Sequence, residues 1–384
     1  MRLISRTLDQ LQSPITAATR ILAEYAGRRP LLDLSQGSPA YATAPVIAER
    51  IALVARQPEG GRYTSRPGLE TLRNLLAEEI SREYAGSVSA NNVLITAGCN
   101  QAFCVAVSAL ADHGDEVILT VPYYFNHDMW LRLDRLSPIY LHSASNFLPD
   151  PSAAAALITP RTRALVLVSP GNPTGVTIPS RVIRAFANLA RQSGITLIID
   201  ETYHAFRDVG AAPHDLFAQS DWADAVVSLR SFSKEFAMPG HRVGAAIGHP
   251  DLIVEMMKLF DCMAICAPRL GQEAAIEALT NAKEWRQARV AEMHSKRARF
   301  EEVFESRPGG FELCAAGAFF GWIRHPWAEE PTDLVVRRLA LDYGILVLPG
   351  TIFTPNDDRY LRFSFGNLSQ VEIDEVATRL QSGT

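Results

Sequence analysis

Six short apolar runs recur through the first two-thirds of this 384-residue chain, and their recurrence limits the fold more than any other feature. They are Val93–Thr96, Glu116–Val121, Ala164–Ser169, Ile195–Asp200, Val226–Ser231 and Val243–Gly248. Ala164–Ser169 is apolar almost throughout, as expected of a strand buried on both faces of a parallel sheet. Stretches of helical periodicity precede and separate the runs; Leu69, Leu72, Leu75, Leu76 and Ile80, ahead of the first, mark one helical face. Strand–helix alternation over residues ~45–250 predicts an α/β domain whose mostly parallel sheet has helices on both faces. Beyond Pro250 the pattern changes. Trp285–Val303 reads as a long charged helix, followed by short strands and helices around 317–322, 332–343, 345–350 and 360–366. The expected division is an N-terminal arm (1–40, part of the small domain), a large domain (41–285) and a smaller α+β C-terminal domain (286–384).

Net charge −5, from 37 basic and 42 acidic residues, gives no sign of a nucleic-acid or anionic-membrane partner. No apolar run has the length of a membrane span, and Met1–Arg6 lacks the apolar core of a signal peptide. Five cysteines, at 99, 104, 262, 266 and 314, form no Cys-x-x-Cys pair. That argues against a zinc site or a disulfide framework and points to a reducing, cytoplasmic setting.

Chemistry concentrates at the strand ends, where ligands sit in open α/β sheets. Lys234 lies in Ser231-Phe232-Ser233-Lys234-Glu235-Phe236-Ala237-Met238-Pro239-Gly240-His241-Arg242-Val243-Gly244. A lysine among small and apolar residues, with a cation nearby, is partly desolvated and nucleophilic at neutral pH, as a Schiff-base lysine must be. Arg242 and the serine hydroxyls suit a phosphate monoester. Aldehyde and phosphate together suggest pyridoxal 5'-phosphate. The strand Val93–Thr96 runs into a turn and a helix start at Gly98-Cys99-Asn100, an anion site made of backbone amides.

The run S-x-S-K-x-x-x-x-P-G-x-R-x-G resembles the lysine signature of the class I/II aminotransferases, of fold type I in the aspartate aminotransferase superfamily. Asn172-Pro173-Thr174-Gly175, Asp200-Glu201-Thr202-Tyr203 and Leu361-Arg362-Phe363-Ser364-Phe365-Gly366 follow the same family's order, and the resemblance spans about residues 35–366. It implies a seven-stranded-type sheet in the large domain and pyridoxal phosphate as cofactor. Lys234 would form the Schiff base, Asp200 would keep the pyridine nitrogen protonated, and Asn172 and Tyr203 would reach the ring's 3-oxygen. Gly98, Cys99 (through its backbone N–H), Asn100, Ser231, Ser233 and Arg242 would hold the phosphate. Tyr124, or its neighbour Tyr123, would stack on the ring. Gly37, in Leu34-Ser35-Gln36-Gly37-Ser38-Pro39, would lie beside the substrate carboxylate, which Arg362 would grip. Tyr63, in Tyr63-Thr64-Ser65-Arg66-Pro67-Gly68, would reach the cofactor phosphate of a neighbouring subunit in a homodimer.

The implied reaction moves an amino group from an L-amino acid to a 2-oxo acid, with Lys234 as general base. No second arginine is evident before Cys266-Ala267-Pro268 to read a distal carboxylate, so the expected donors are neutral, apolar or aromatic. Arg269 lies beyond Pro268, and Cys266 stands where the family often has serine or threonine. The same constellation also serves carbon–sulfur β-lyases. An amino-acid sensor reading would need a DNA-binding domain, for which the ~35 residues ahead of the domain are expected to leave no room.

Overall fold

Seven strands form one sheet in this computed structural model, which describes residues 4–382 except 9, 11, 12, 28, 212, 357 and 358. Part of the expected N-terminal arm, its leading residues Met1–Leu3 and the middle of the Gly27–Pro30 turn therefore lie outside the described residues. In chain order the strands are β1 (Leu32–Asp33), β2 (Val93–Thr96), β3 (Glu116–Val121), β4 (Ser137–His142), β5 (Thr162–Val168), β6 (Thr196–Asp200), β7 (Val226–Ser231) and β8 (Gly244–Ile247). The C-terminal part adds β9 (Glu312–Gly317), β10 (Phe320–Arg324), β11 (Ile345–Leu346), β12 (Leu348–Pro349) and β13 (Tyr360–Ser364). The large sheet has the order β2-β8-β7-β6-β5-β3-β4. All its pairings are parallel except those of β8, which runs against both β2 and β7.

This register sets the strand ends side by side. Val168 pairs with Asp200, Asp200 with Leu229, and Ser231 with Gly244. Helices cover the sheet by burying one stripe each. On Ser180–Ser193 the stripe is Ile183, Phe186, Ala187 and Ala190, and the helix stops at Gly194, whose φ of 65° closes it in the left-handed conformation.

The short C-terminal strands form a separate antiparallel sheet, β12-β13-β10-β9. One expected strand, residues 345–350, is instead divided between two sheets. Ile345–Leu346 pairs in parallel with β1, and Leu348–Pro349 pairs antiparallel with β13. Buried apolar side chains from 44 to 282 form one core. A second core takes Leu32, Leu34, Tyr203, Phe206 and residues from Met293 to Leu380. The helix Lys283–Glu305 carries the chain from one core to the other.

Candidate active site

A cavity of about 200 Å³ lies at the carboxyl ends of β5, β6 and β7, where Arg362 of the C-terminal part and Gln36 and Gly37 also line it. Its lining brings together Gly37, Cys99, Asn100, Tyr124, Asn172, Asp200, Tyr203, Ser231, Ser233, Lys234, Arg242 and Arg362 from across the whole chain. Of the residues singled out in the sequence, Gly98 stands just behind the wall and Tyr63 stands apart. Tyr63 is 73% exposed. Tyr123 turns away, stacking on Tyr140 with ring centroids 5.3 Å apart, so Tyr124 is the aromatic that faces the cavity.

One end is built for an anion. The helix Cys99–Leu110 starts without any side-chain cap, so its first N–H groups are open to a ligand. Gly98 precedes it at φ 93°, and a Cβ there would come within 2.3 Å of Arg242 Nη2. Only glycine permits both this backbone and this closeness. Arg242 is braced against the turn, donating to the carbonyls of Pro239 (2.8 Å) and Ala97 (3.2 Å). Ser231 and Ser233 complete this end, with the Ser233 N–H donating to Ser231 Oγ.

Asp200 lines the cavity, buried at the tip of β6. Burial alone would raise its pKa, but the hydrogen bond and charge of His127, followed by the donors of Thr202, hold it below the usual carboxylate value. His127 Nε2 stands 3.3 Å from Oδ2, the Thr202 N–H donates to Oδ1 at 2.9 Å, and the Cys99 thiol reaches Oδ1 at 3.6 Å. A carboxylate kept ionised in such a place fits a protonated ring nitrogen. Asn172 Nδ2 donates to the Tyr203 hydroxyl (3.2 Å), and Asn100 hydrogen-bonds the Tyr124 hydroxyl. Partly buried Lys234 has its amine brought down to about 8, first by burial and then by the charges of Arg362 and Arg242. About a tenth of it is therefore uncharged at pH 7, far more than of an ordinary lysine.

Arg362 is 2% exposed. Its Nη1 donates to Asn172 Oδ1 at 3.1 Å and its Nη2 to the Ser35 carbonyl, while its Nε has no partner. Burial lowers its pKa to about 10. A buried guanidinium with a free donor and no acidic partner is an incomplete ion pair, and a substrate carboxylate would complete it. Gly37 lies alongside, where a Cβ would meet the Phe320 ring at 3.2 Å and Arg362 Nη1 at 3.7 Å. These features fit pyridoxal phosphate together with an amino acid: an anion end, an ionised carboxylate for the ring nitrogen, hydroxyl and amide donors, a lysine and a waiting guanidinium.

Sequence reasoning missed His127 and Thr202. Nothing in the sequence marks His127 as part of the site, although it lies only three residues beyond Tyr124. Its role emerges only when the helix Phe125–Leu133 places it between Asp200 and the ring of Phe103, stacked at 3.9 Å.

The family described as aminotransferase class I and II matches residues 29–380. An aromatic aminotransferase of Arabidopsis thaliana is 30% identical, with 99% of this chain and 96% of that protein covered. An arginine–pyruvate transaminase of Pseudomonas aeruginosa is 31% identical, covering 89% of this chain and 87% of that protein. The structure of aspartate aminotransferase from Thermus thermophilus with maleate superposes with a TM-score of 0.91 at 27% identity, and both chains are covered completely.

Proposed function

The chain belongs to the class I and II aminotransferases, pyridoxal-phosphate-dependent enzymes that take amino acid and 2-oxo acid substrates, and from that premise we propose that its amino donor is a neutral or aromatic L-amino acid. The observation that carries the substrate reading is the cavity's charge. Among the described residues, the cations that line it are Lys234, Arg242 and Arg362, and Ile15, Tyr124 and Phe125 supply apolar wall. None of the three cations is left to pair a second, distal carboxylate. Arg269 is engaged elsewhere, by Glu273 and the Arg62 carbonyl. The aromatic activity named for the Arabidopsis relative agrees with this reading.

When bound, pyridoxal phosphate supplies an aldehyde that takes up the amino group and a protonated ring that draws electrons from the substrate's α-carbon. The helix N-terminus at Cys99, Ser231, Ser233 and Arg242 would hold the phosphate. Asp200, itself steadied by His127 and Thr202, would keep the proton on the ring nitrogen. Asn172 and Tyr203 would donate to the ring's oxygen. Arg362 binds the substrate carboxylate through its free donor and so turns the α C–H towards Lys234. Lys234 Nζ takes that proton and delivers it onward, a step in which a positioned base contributes ~10²–10⁴-fold.

A homodimer with shared sites belongs to the same proposal. The loop carrying exposed Tyr63 is tied to the end of the helix Pro250–Ala264, the start of the helix Arg269–Asn281 and the turn between them, with Arg66 bound to Asp261 (2.9 Å), the Thr64 N–H to Cys266 Sγ (3.4 Å) and Gln272 Nε2 to Thr64 Oγ1 (2.9 Å). That loop presents Tyr63 away from its own cavity, as a residue serving a second copy would be presented. The division into a large and a small domain near residue 285 is supported by the change of core along the helix Lys283–Glu305. A cytoplasmic location is supported by five free cysteines.

The test is a half-reaction. Single amino acids are added to the loaded enzyme with no oxo acid present, and the expected result is one equivalent of the matching 2-oxo acid per subunit, from aromatic or neutral donors. Accumulation of pyruvate and ammonia in its place would overturn the proposal in favour of a lyase. Equally good turnover of aspartate would overturn the substrate class alone.

A further inference from the structure

Sites for small molecules hold roughly 300–1,000 Å³. The active-site cavity, at about 200 Å³, falls short of that with both a cofactor and a substrate to take. A second cavity, of about 340 Å³, adjoins it. Phe125 lines both, and the chain neighbours Pro14 and Ile15, in the first turn of the helix Pro14–Glu24, line one each. The buried Phe125 ring meets that of Phe353 at 5.7 Å, and the Arg362 guanidinium sits over the same Phe353 ring at 5.3 Å. The neck between the cavities therefore stands two ring contacts from the group that awaits the substrate carboxylate.

One helical face makes much of the second cavity's wall. Phe125, Asp128, Met129 and Arg132 recur at i, i+3, i+4 and i+7 on the helix Phe125–Leu133. With Pro14 and Ile352, Phe125 and Met129 give it an apolar lining, to which Tyr123 and Tyr140 add hydroxyls. The two charges there cancel. Arg132 Nε donates to Asp128 Oδ2 at 2.9 Å, and the Tyr140 hydroxyl donates to Asp128 Oδ1 at 2.6 Å while accepting from Arg132. A cation already paired by an acid one helical turn away offers little to a distal carboxylate. An aromatic ring gains from the apolar lining, and a hydroxyl or N–H on that ring finds hydroxyls that both donate and accept.

We propose that this second cavity is the subsite for the amino donor's side chain, that it takes an aromatic ring with a hydrogen-bonding tip (hydroxyphenyl or indole), and that Phe125 forms its neck. The inference rests on the reading of the donor as neutral or aromatic and adds to it the place where the ring goes. With the α-carboxylate on Arg362, the side chain runs past the Phe353 and Phe125 rings and the first turn of the helix Pro14–Glu24. Alanine is too short to reach the neck, so its turnover is independent of what lies beyond.

The test blocks the subsite from two different elements. Met129→Trp fills it from the helix Phe125–Leu133 and Thr351→Trp from the turn Gly350–Ile352, both apart from the residues assigned to cofactor and carboxylate. Tyrosine, tryptophan and alanine are compared as donors in the half-reaction of the loaded enzyme. In either variant kcat/KM for the two aromatic donors is expected to fall by roughly 10–100-fold, the scale on which an apolar pocket discriminates, with alanine unchanged within about twofold. If wild type yields the aromatic oxo acids and both variants keep its ratio of tryptophan to alanine, the subsite is overturned and the donor reading stands. Equal loss of alanine and aromatic turnover in both variants would overturn the subsite as well, because the cavity would then not sort side chains. Wild type that accepts alanine but neither aromatic donor would overturn the subsite together with the aromatic part of the donor reading.

Discussion

The two sides of the strand ends β6 and β7 are built from the same residue types to opposite purposes. On the cavity side, Arg362 keeps an unpartnered Nε, the helix at Cys99 has no cap and Lys234 is held partly uncharged. On the far side, Glu201, Glu83 and Glu235 are each met by hydroxyls, guanidinium groups or an imidazole of the chain itself. Unmet donors in a buried place cost stability and await a ligand, whereas met ones hold the fold. The contrast separates a surface made for binding from one made for bracing, although alternate residues of single strands supply both.

The largest effect expected on this contrast comes from Lys234→Ala, which removes the base. Turnover is expected to fall by at least ~10²–10⁴-fold, with circular dichroism and melting almost unchanged. Arg362→Lys keeps the charge but loses the planar fork and its free Nε donor, so kcat/KM for amino acids is expected to drop by roughly 10–100-fold, the loss of one hydrogen bond to a charged group. On the bracing side, Tyr84→Phe strips the hydroxyl from buried Glu201. It is expected to cost about 1–3 kcal/mol of stability in denaturant titration while leaving KM alone; a changed KM would blur the division between the two sides. Aldehyde uptake by the apo-protein is expected to speed up as pH rises and to level off above about 8, because burial beside Arg362 and Arg242 lowers the Lys234 amine. The smallest effect is expected of Tyr63→Phe, a few-fold faster loss of cofactor measured by dialysis. No change there would weigh against the shared site.

The binding side was largely legible in the sequence, because its residues interrupt an apolar pattern at predictable places. Asn172, Asp200 and Ser231–Lys234 each follow a buried strand, and parallel strands put their carboxyl ends together. Arg362 was legible only through its resemblance to the family motif, since an arginine in an alternating strand commonly points to solvent. The bracing side was invisible. Glu201, His204 and Glu235 read as ordinary polar residues after a strand or within a loop, and no spacing relates Tyr84 to Glu201, 117 residues away. His127 was missed for the same reason.

Local pattern therefore determined where strands and helices form, which end of the sheet carries the chemistry and which side chains stand there, because periodicity and turn residues act over a few positions. The tertiary structure alone decided which charges are buried together and how each is met. It brought Arg362 against Asn172 and the Ser35 carbonyl, split residues 345–350 between two sheets, and set Glu235 against His204 and Arg286. Ion pairing and desolvation depend on distance in space, and a linear chain does not encode that distance until its layers have packed.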